Sequence, residues 1–584
     1  MTASQSNLSD VRYGYDLVVA VTQKSINLTL KQYLSNITSP EVILCFVYDS
    51  ANNIVPIDYN TLVANAKGSD PFAVQSGADP QTDKNLINLA AASFAGAVKA
   101  RIGLPNAPLN SIPPIVVLGH GAAAPALFNL LCSEFQITGF QYGARGMATW
   151  INASQPTTAG HLWYFSANVE LNTILVDPTS PVPPAVQQRI IQLQNDPANA
   201  FTIQKLFLDL DTAILMSAPT LQGVTPGWAV WNLISATFLG AYFKQLRATG
   251  APVLSYSFTA KAPLPATLQL GSVSRECLAL LDNGLPINNP TAAQLDATEL
   301  VYIGSATTTP PIPVPFSWNW IDLPDVGNFS GVLAVRRDVF LTFLGQLVNR
   351  NIANLCFDST VVVTASGLDL YPAFSTPMSG HPSVFVRVSP IGAPGADGFT
   401  KIFDLTFQHN CHGYNWVFTA NVNIDYNYTL TGDVSISKNQ LRVTLHPQVF
   451  MQVQHLEVFV TYTDLAGANY YDKTRTFIYD LNASQNGAIQ VTETEHTVDA
   501  SVPWNLQVKG LMQDQGFTAA MTSFESLLGS SLDSTMTAFA NDLAGIINGY
   551  QGWVFPGNDA FTFKDVGFSS GLDLITELTY VNPR

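Results

Sequence analysis

From Phe418 to Thr431 the chain reads FTANVNIDYNYTLT, with apolar residues at every even position and polar residues at every odd one. That period of two predicts a single unbroken strand with one buried face. At about 3.3 Å per residue it spans roughly 45 Å, well beyond the usual strand of about five or six residues. Gly432 and Asp433 are expected to turn the chain, after which Leu441, Val443 and Leu445 alternate in reverse. Leu456 to Tyr462 and Phe477 to Leu481 predict two more strands of the same kind.

A different grammar opens the chain. Leu17 to Val21 is a continuous apolar run of the buried-strand type. Thr22 is placed to cap a helix, and Ile26, Leu30, Tyr33, Leu34 and Ile37 follow on one helical face until Pro40. The pattern returns at Gly331–Val348, where Ala334 and Val335 take the places of Ala20 and Val21, and Phe340, Leu344, Leu347 and Val348 those of the first helix. Each opening is followed by β-rich sequence, then a long helix, then a strand. Trp231, Ile234, Phe238, Tyr242 and Leu246 mark the first long helix, with Gly250 as its expected stop. Phe517, Met521, Phe524, Leu528, Leu532, Met536, Phe539, Leu543 and Ile546 mark the second, which Gly549 ends. Leu268–Val273 and Phe561–Val566 are the matching strands.

The expected architecture is therefore α+β: an elongated chain of two tandem units, 11–310 and 311–584, joined through the Pro-rich TTTPPIPVPFSWNW, an extended linker. The second long helix, at 1.5 Å per residue, also comes to roughly 45 Å. Matched lengths suggest a helix lying along a strongly twisted antiparallel sheet. That helix carries Ala519, Ala520, Gly529, Ser530, Ala538, Ala540, Ala544 and Gly545. If these face inward, an apolar seam stays open for an elongated apolar ligand; if they face solvent, the interior is filled. The residues expected to line the seam are Val422, Ile424, Tyr426 and Tyr428 of the long strand, with Phe524, Leu528 and Met536 of the helix.

Composition narrows the field. Hydrophobic residues make up 47% of the 584, and charged residues only 12%, about half the usual share. Such a chain can bury a large core and needs more than one domain to do it. The net charge of −16, with no Lys/Arg stripe, argues against nucleic acid and against attachment to anionic membranes by charge alone. No apolar run reaches the roughly 18 residues of a membrane helix, and the N-terminus lacks the regions of a secretory signal. The expectation is a cytoplasmic protein, or one released without a conventional signal peptide. Five scattered cysteines read as free buried thiols in a reducing compartment.

Candidate chemistry is sparse. His120 sits between Gly119 and Gly121 ahead of an expected helix, as an oxyanion hole would, but no Gly-x-Ser-x-Gly elbow accompanies it. His409, Cys411 and His412 hint at zinc, yet neighbours on a strand point to opposite faces. Asp209 and Asp211 share a strand face, as paired glycosidase carboxylates can. Trp318 and Trp320 suit either sugar stacking or core packing. No phosphate loop, dinucleotide fingerprint or HExxH is present. No catalytic residue, metal or cofactor is expected.

Three blocks carry a resemblance: GYDLVVAVTQKSINLTLKQYL, FSWNWIDLPDVGNFSGVLAVRRDVFLTFL and GWVFPGNDAFTFKDVGFSSGLDLITELTY. They resemble TULIP (tubular lipid-binding) proteins, and within these the OrfX-type accessory proteins encoded beside clostridial neurotoxins. The resemblance implies a long helix wrapped by a curved sheet, an apolar seam able to hold lipid, no catalysis, and a role assisting a toxin. Two alternatives stand beside it: a structural or interaction protein of the same fold with a filled interior, and a carbohydrate-active hydrolase.

Overall fold

The computed structural model describes residues 2–38, 40–121, 124–143, 146–156, 161–194, 201–219, 227–248, 252–260, 269–352, 356, 358, 360–366, 369–375, 385–389, 391–416, 420–457, 461–483, 489–503, 522, 526, 529–543, 553–554 and 562–579. The fold is α+β with mostly antiparallel sheets.

At the centre, the two opening strands lie side by side. Leu17–Thr22 pairs antiparallel with Gly331–Val335, so that Val19 faces Leu333. The sheet they found runs in the order Ser272–Leu278, Glu299–Ser305, Leu17–Thr22, Gly331–Val335, Leu574–Thr579, Thr562–Phe568. Its first three strands come from the front of the chain and its last three from the back. In each set the opening strand is central, the last strand in the chain lies beside it and the middle one forms the edge. As the capping pattern predicts, the Thr22 side chain accepts a hydrogen bond from Ser25 N–H, opening the helix Gln23–Asn36. The matching helix, Arg337–Ile352, buries Phe340, Leu344, Leu347 and Val348.

The alternation of the sheet residues sorts two cores. Leu17, Val19 and Val21 face the large interior shared with both helices. Val18 and Ala20 face outward, into a second core built from Tyr13, Tyr15, Phe316, Trp318 and Trp320. The Pro-rich segment is thus not a free linker. It is a strap across the outer face of the central sheet: Ser274 Oγ donates to Pro311 O at 2.6 Å and Tyr15 OH to Ile312 O at 3.0 Å. Trp318 and Trp320 stand edge-on to each other, 5.5 Å between centroids, as core packing rather than a sugar platform. The N-terminal segment crosses to the far half, where Asp573 accepts from Ser6 Oγ at 2.5 Å, Leu8 N–H at 2.7 Å and Arg337 N–H at 3.0 Å.

In the front half, a five-stranded sheet (Ile54–Ile57, Glu41–Tyr48, Phe94–Ile102, Cys132–Tyr142, Ala148–Ser154) and a second sheet led by Phe201–Ser217 and Phe165–Val176 enclose the helix Ala229–Ala248. Trp553–Val554, from the back of the chain, adds an edge to the second sheet by pairing with Tyr256 and Ser257.

In the back half, a meander of six strands curls into a half-barrel: Arg387–Val388, Thr400–Asn415, Ala420–Ser435, Gln440–Glu457, Thr461–Ala483 and Ile489–Asp499. Register shifts at Val449/Phe450 and Val453/Gln454 add the local bends that curl it. Two expectations change here. The long strand does not turn at Gly432–Asp433 but runs on to Ser435, and the turn comes at 436–439. Gly432 is needed within the strand, since the Phe403 ring of the neighbouring strand lies over it and leaves no room for a Cβ. The expected strand Leu456–Tyr462 is instead divided between the end of Gln440–Glu457 and the start of Thr461–Ala483. No helix among the described residues is long and apolar enough to cross a membrane.

Candidate functional site

The predicted seam strand has the faces its pattern requires. Val422, Ile424, Tyr426 and Tyr428 are all 2% exposed or less, while the intervening Asn421, Asn423, Asp425 and Asn427 are half-buried. Met536, at 3% exposure, belongs to the same continuous core. Phe524 and Leu528 lie outside the described residues.

The helix described over 529–543 turns Leu532, Met536, Phe539 and Leu543 to the meander, with Ser531 and Thr535 buried among them. Phe539 packs against Tyr479 of Thr461–Ala483 at 5.3 Å between ring centroids. Arg475 of the same strand anchors the helix from the rim, bonded to Asp533 at 2.5 Å and to Glu495 at 2.6 Å. Ser530 is exposed, and Gly529, Ala538 and Ala540 are half-buried, so these small residues are not the fully buried side of the helix. The polar pair Ser531 and Thr535 is, which the emphasis on Gly and Ala missed; their spacing of four was the available signal.

Within this apolar interior the hydroxyls of Tyr428 and Tyr479 are both buried, that of Tyr479 beside the Glu493 carboxylate. The Tyr428 hydroxyl is buried and has no hydrogen-bond partner among the described residues. Burial holds its proton well above the usual tyrosine range, with Tyr426 and Cys356 adding to the effect. The front half handles the same problem differently. Tyr242, equally buried on the helix Ala229–Ala248, donates to Leu131 O at 2.9 Å. Around it, Phe238 meets Phe135 at 5.4 Å and Phe165 at 4.8 Å, and Phe243 meets Phe128 at 5.7 Å. The first turn of that helix docks on glycines: a Cβ at Gly139 would lie 2.5 Å from Trp228, and one at Gly96 2.6 Å from Val230.

The other candidates separate. His120 is exposed in a turn that leads into the strand Ala126–Leu130, not a helix; Gly121 is bridged to Cys277 there. His409 Nδ1 lies 3.1 Å from Asp358 Oδ1, while the alternation puts Cys411 half-buried and His412 exposed on the opposite face. Among the described residues no group of three His, Cys, Asp or Glu side chains could hold a metal ion. Asp209 accepts from Asn172 at 3.2 Å and Asp211 is paired with Arg247, with a register shift between Asp209 and Ile214 pushing the intervening residues out of the ladder. Cys45, Cys132, Cys277 and Cys356 are buried free thiols.

The class that the fold defines is thus an α+β protein of antiparallel sheets, with one curled sheet clasping a helix. No family model matches the chain, and no curated protein matches it. Among solved structures it is similar to P47 from Clostridium botulinum A2, with a TM-score of 0.39 and 10% identity over 97% of both chains. It is also similar to a lipopolysaccharide binding protein, with a TM-score of 0.27 and 9% identity over 97% of this chain and 98% of that one.

Proposed function

We propose that this protein is a non-enzymatic binder of a lipid or another elongated apolar molecule, held along the seam between the helix at 529–543 and the curled meander. In this reading residues 11–310 and 311–584 are two tandem TULIP-like units, and the second is the one that takes the ligand. Assistance to a toxin belongs to the same proposal and rests on the sequence resemblance alone.

The observation that carries the reading is the Tyr428 hydroxyl. A buried hydroxyl without a partner costs about 1–3 kcal/mol. The polar end of an amphiphile would satisfy it, leaving the alkyl portion against Val422, Ile424 and Met536. Extraction of the purified protein with organic solvent should release lipid, and native mass spectra should show the corresponding adduct. A clean apo mass, together with no uptake of a fluorescent fatty acid, would count against it.

A second reading is a structural or interaction protein with a filled interior. The ring-packed front half favours it, as do the small residues Gly529, Ser530, Ala538 and Ala540 lying off the fully buried side of their helix. Lipid-free protein forming a stable assembly with a partner would decide for that reading. The hydrolase alternative draws no support from Asp209 and Asp211, since Asp211 is engaged by Arg247.

A further inference from the structure

The strap across the outer face of the central sheet covers polar groups that it does not satisfy. Along Ser272–Leu278 every second side chain faces it. Ser272 Oγ lies 2.7 Å from Thr307 O and 2.8 Å from Thr309 O, and Ser274 Oγ donates to Pro311 O at 2.6 Å. Glu276 comes next on that face, and the same step of two along both segments brings it level with Pro313. A proline has no N–H to offer a carboxylate. Glu276 is 3% exposed, and its Oε1 has no hydrogen-bond partner among the described residues. In the core beneath the strap three more buried polar atoms share that state: Tyr13 OH, Trp318 Nε1 and Trp320 Nε1. Buried polar groups are normally paired, and water would pair all four once the strap lifted.

The strap itself is lightly held. Ile312 is 82% exposed, and Thr307 to Pro310 are exposed throughout. Tyr15 OH donates to Ile312 O at 3.0 Å and accepts from Val314 N–H at 2.5 Å. At the far end Glu299, buried like Glu276, accepts from Ile321 N–H at 2.7 Å and Trp320 N–H at 3.4 Å. Residues 306–321 carry no ionisable side chain. Tyr15 of the N-terminal segment faces Glu276, and Asp322 faces Glu299. Arg275 turns to the opposite face of its strand, where it bonds Leu171 O, while Arg12 pairs with Asp10 and Arg336 with Asp16. Neither buried carboxyl has an ion-pair partner among the described residues. Burial pushes Glu276 up to about 7. It pushes Glu299 up to about 8, with Asp322 adding to it and the two N–H groups opposing.

We propose that the strap is a pH-operated cover, closed while Glu276 and Glu299 keep their protons and lifted in alkaline solution to bare Tyr13, Phe316, Trp318 and Trp320. A carboxyl freed into water returns towards 4.5, so the open form holds fewer protons than the closed one. Raising the pH therefore draws the strap open, and the effect levels off above about 8. The central strands stay paired beneath it. The cover is independent of any ligand in the meander and stands or falls separately from that reading.

Hydrogen exchange of the full chain at pH 6 and pH 8.5, read by mass spectrometry of its peptides and corrected for the pH dependence of chemical exchange, tests this. Protection over 314–321 should be at least about tenfold lower at pH 8.5, the effect of one carboxyl over one pH unit. Protection of the central strand Leu17–Thr22 should hold. Glu276→Gln, which keeps the size and removes the titration, should shrink the ratio between the two pH values several-fold. Equal protection of 314–321 at both pH values, or a loss shared equally by Leu17–Thr22, overturns the proposal. So does a Glu276→Gln variant that keeps the full ratio. The parent chain alone decides the first two outcomes, whether or not the variant folds.

Discussion

The helix Ala229–Ala248 and the helix described over 529–543 both lie against antiparallel strands, and they fill their surroundings in different ways. The front helix brings aromatic side chains, satisfies its buried tyrosine through Leu131 O, and seats its first turn against glycines. The back helix brings Leu, Met, Phe, Ser and Thr to its buried side, and within the meander the Tyr428 hydroxyl of Ala420–Ser435 has no partner among the described residues. Similar order of elements therefore does not mean similar use. Aromatic rings interlocked at 4.8–5.7 Å leave little for a guest. The front helix also carries a buried hydroxyl without a partner among the described residues, that of Ser235, so ring packing rather than an orphan hydroxyl separates the two sides.

The strongest way to break this contrast is to overpack both sides. Gly139→Val should cost about 3 kcal/mol, since its Cβ meets Trp228 at 2.5 Å and Ala95 O at 2.9 Å. Gly529→Ala, with nothing within 4 Å of the added Cβ, should be neutral or add up to about 1 kcal/mol through helix propensity. Urea unfolding of the two variants measures the difference; equal losses would contradict the contrast.

A smaller effect separates the two tyrosines. In lipid-free protein Tyr242→Phe should lose about 1 kcal/mol with its hydrogen bond, whereas Tyr428→Phe should be neutral or stabilising by about 1 kcal/mol. Thermal melts of both variants against the parent check the sign. In protein loaded with fatty acid, Tyr428→Phe should instead weaken retention of the ligand.

Three buried carboxyls on the outer face of the central sheet contribute a pH dependence of their own. Burial raises Glu299 from 4.5 to about 8, and Glu276 and Glu577 from 4.5 to about 7. Between those values the folded chain keeps protons that the unfolded chain has released, so stability falls as pH rises from about 4.5 to about 8. Melting temperatures at pH 6 should exceed those at pH 8.5, and Glu299→Gln should flatten the slope.

Much of this was legible locally. The alternation at 418–431 specified which side of Ala420–Ser435 is buried, and Thr22 announced the helix it caps. What failed was non-local. Gly432 reads as a turn residue until the Phe403 ring is placed over it. Prolines 310–315 read as a linker because nothing in them says what they cover; Ser274 and Tyr15, which hold the strap down, lie elsewhere in the chain. The outer core draws on residues 3–20, 280–334 and 575, a juxtaposition that no spacing rule reveals.

The most direct test of the central claim is native mass spectrometry of freshly purified protein, before and after organic extraction. The account predicts an adduct of lipid mass that extraction removes, that returns on incubation with fatty acid, and that is weakened in Tyr428→Phe. A single apo mass that stays unchanged on incubation with fatty acid would contradict it.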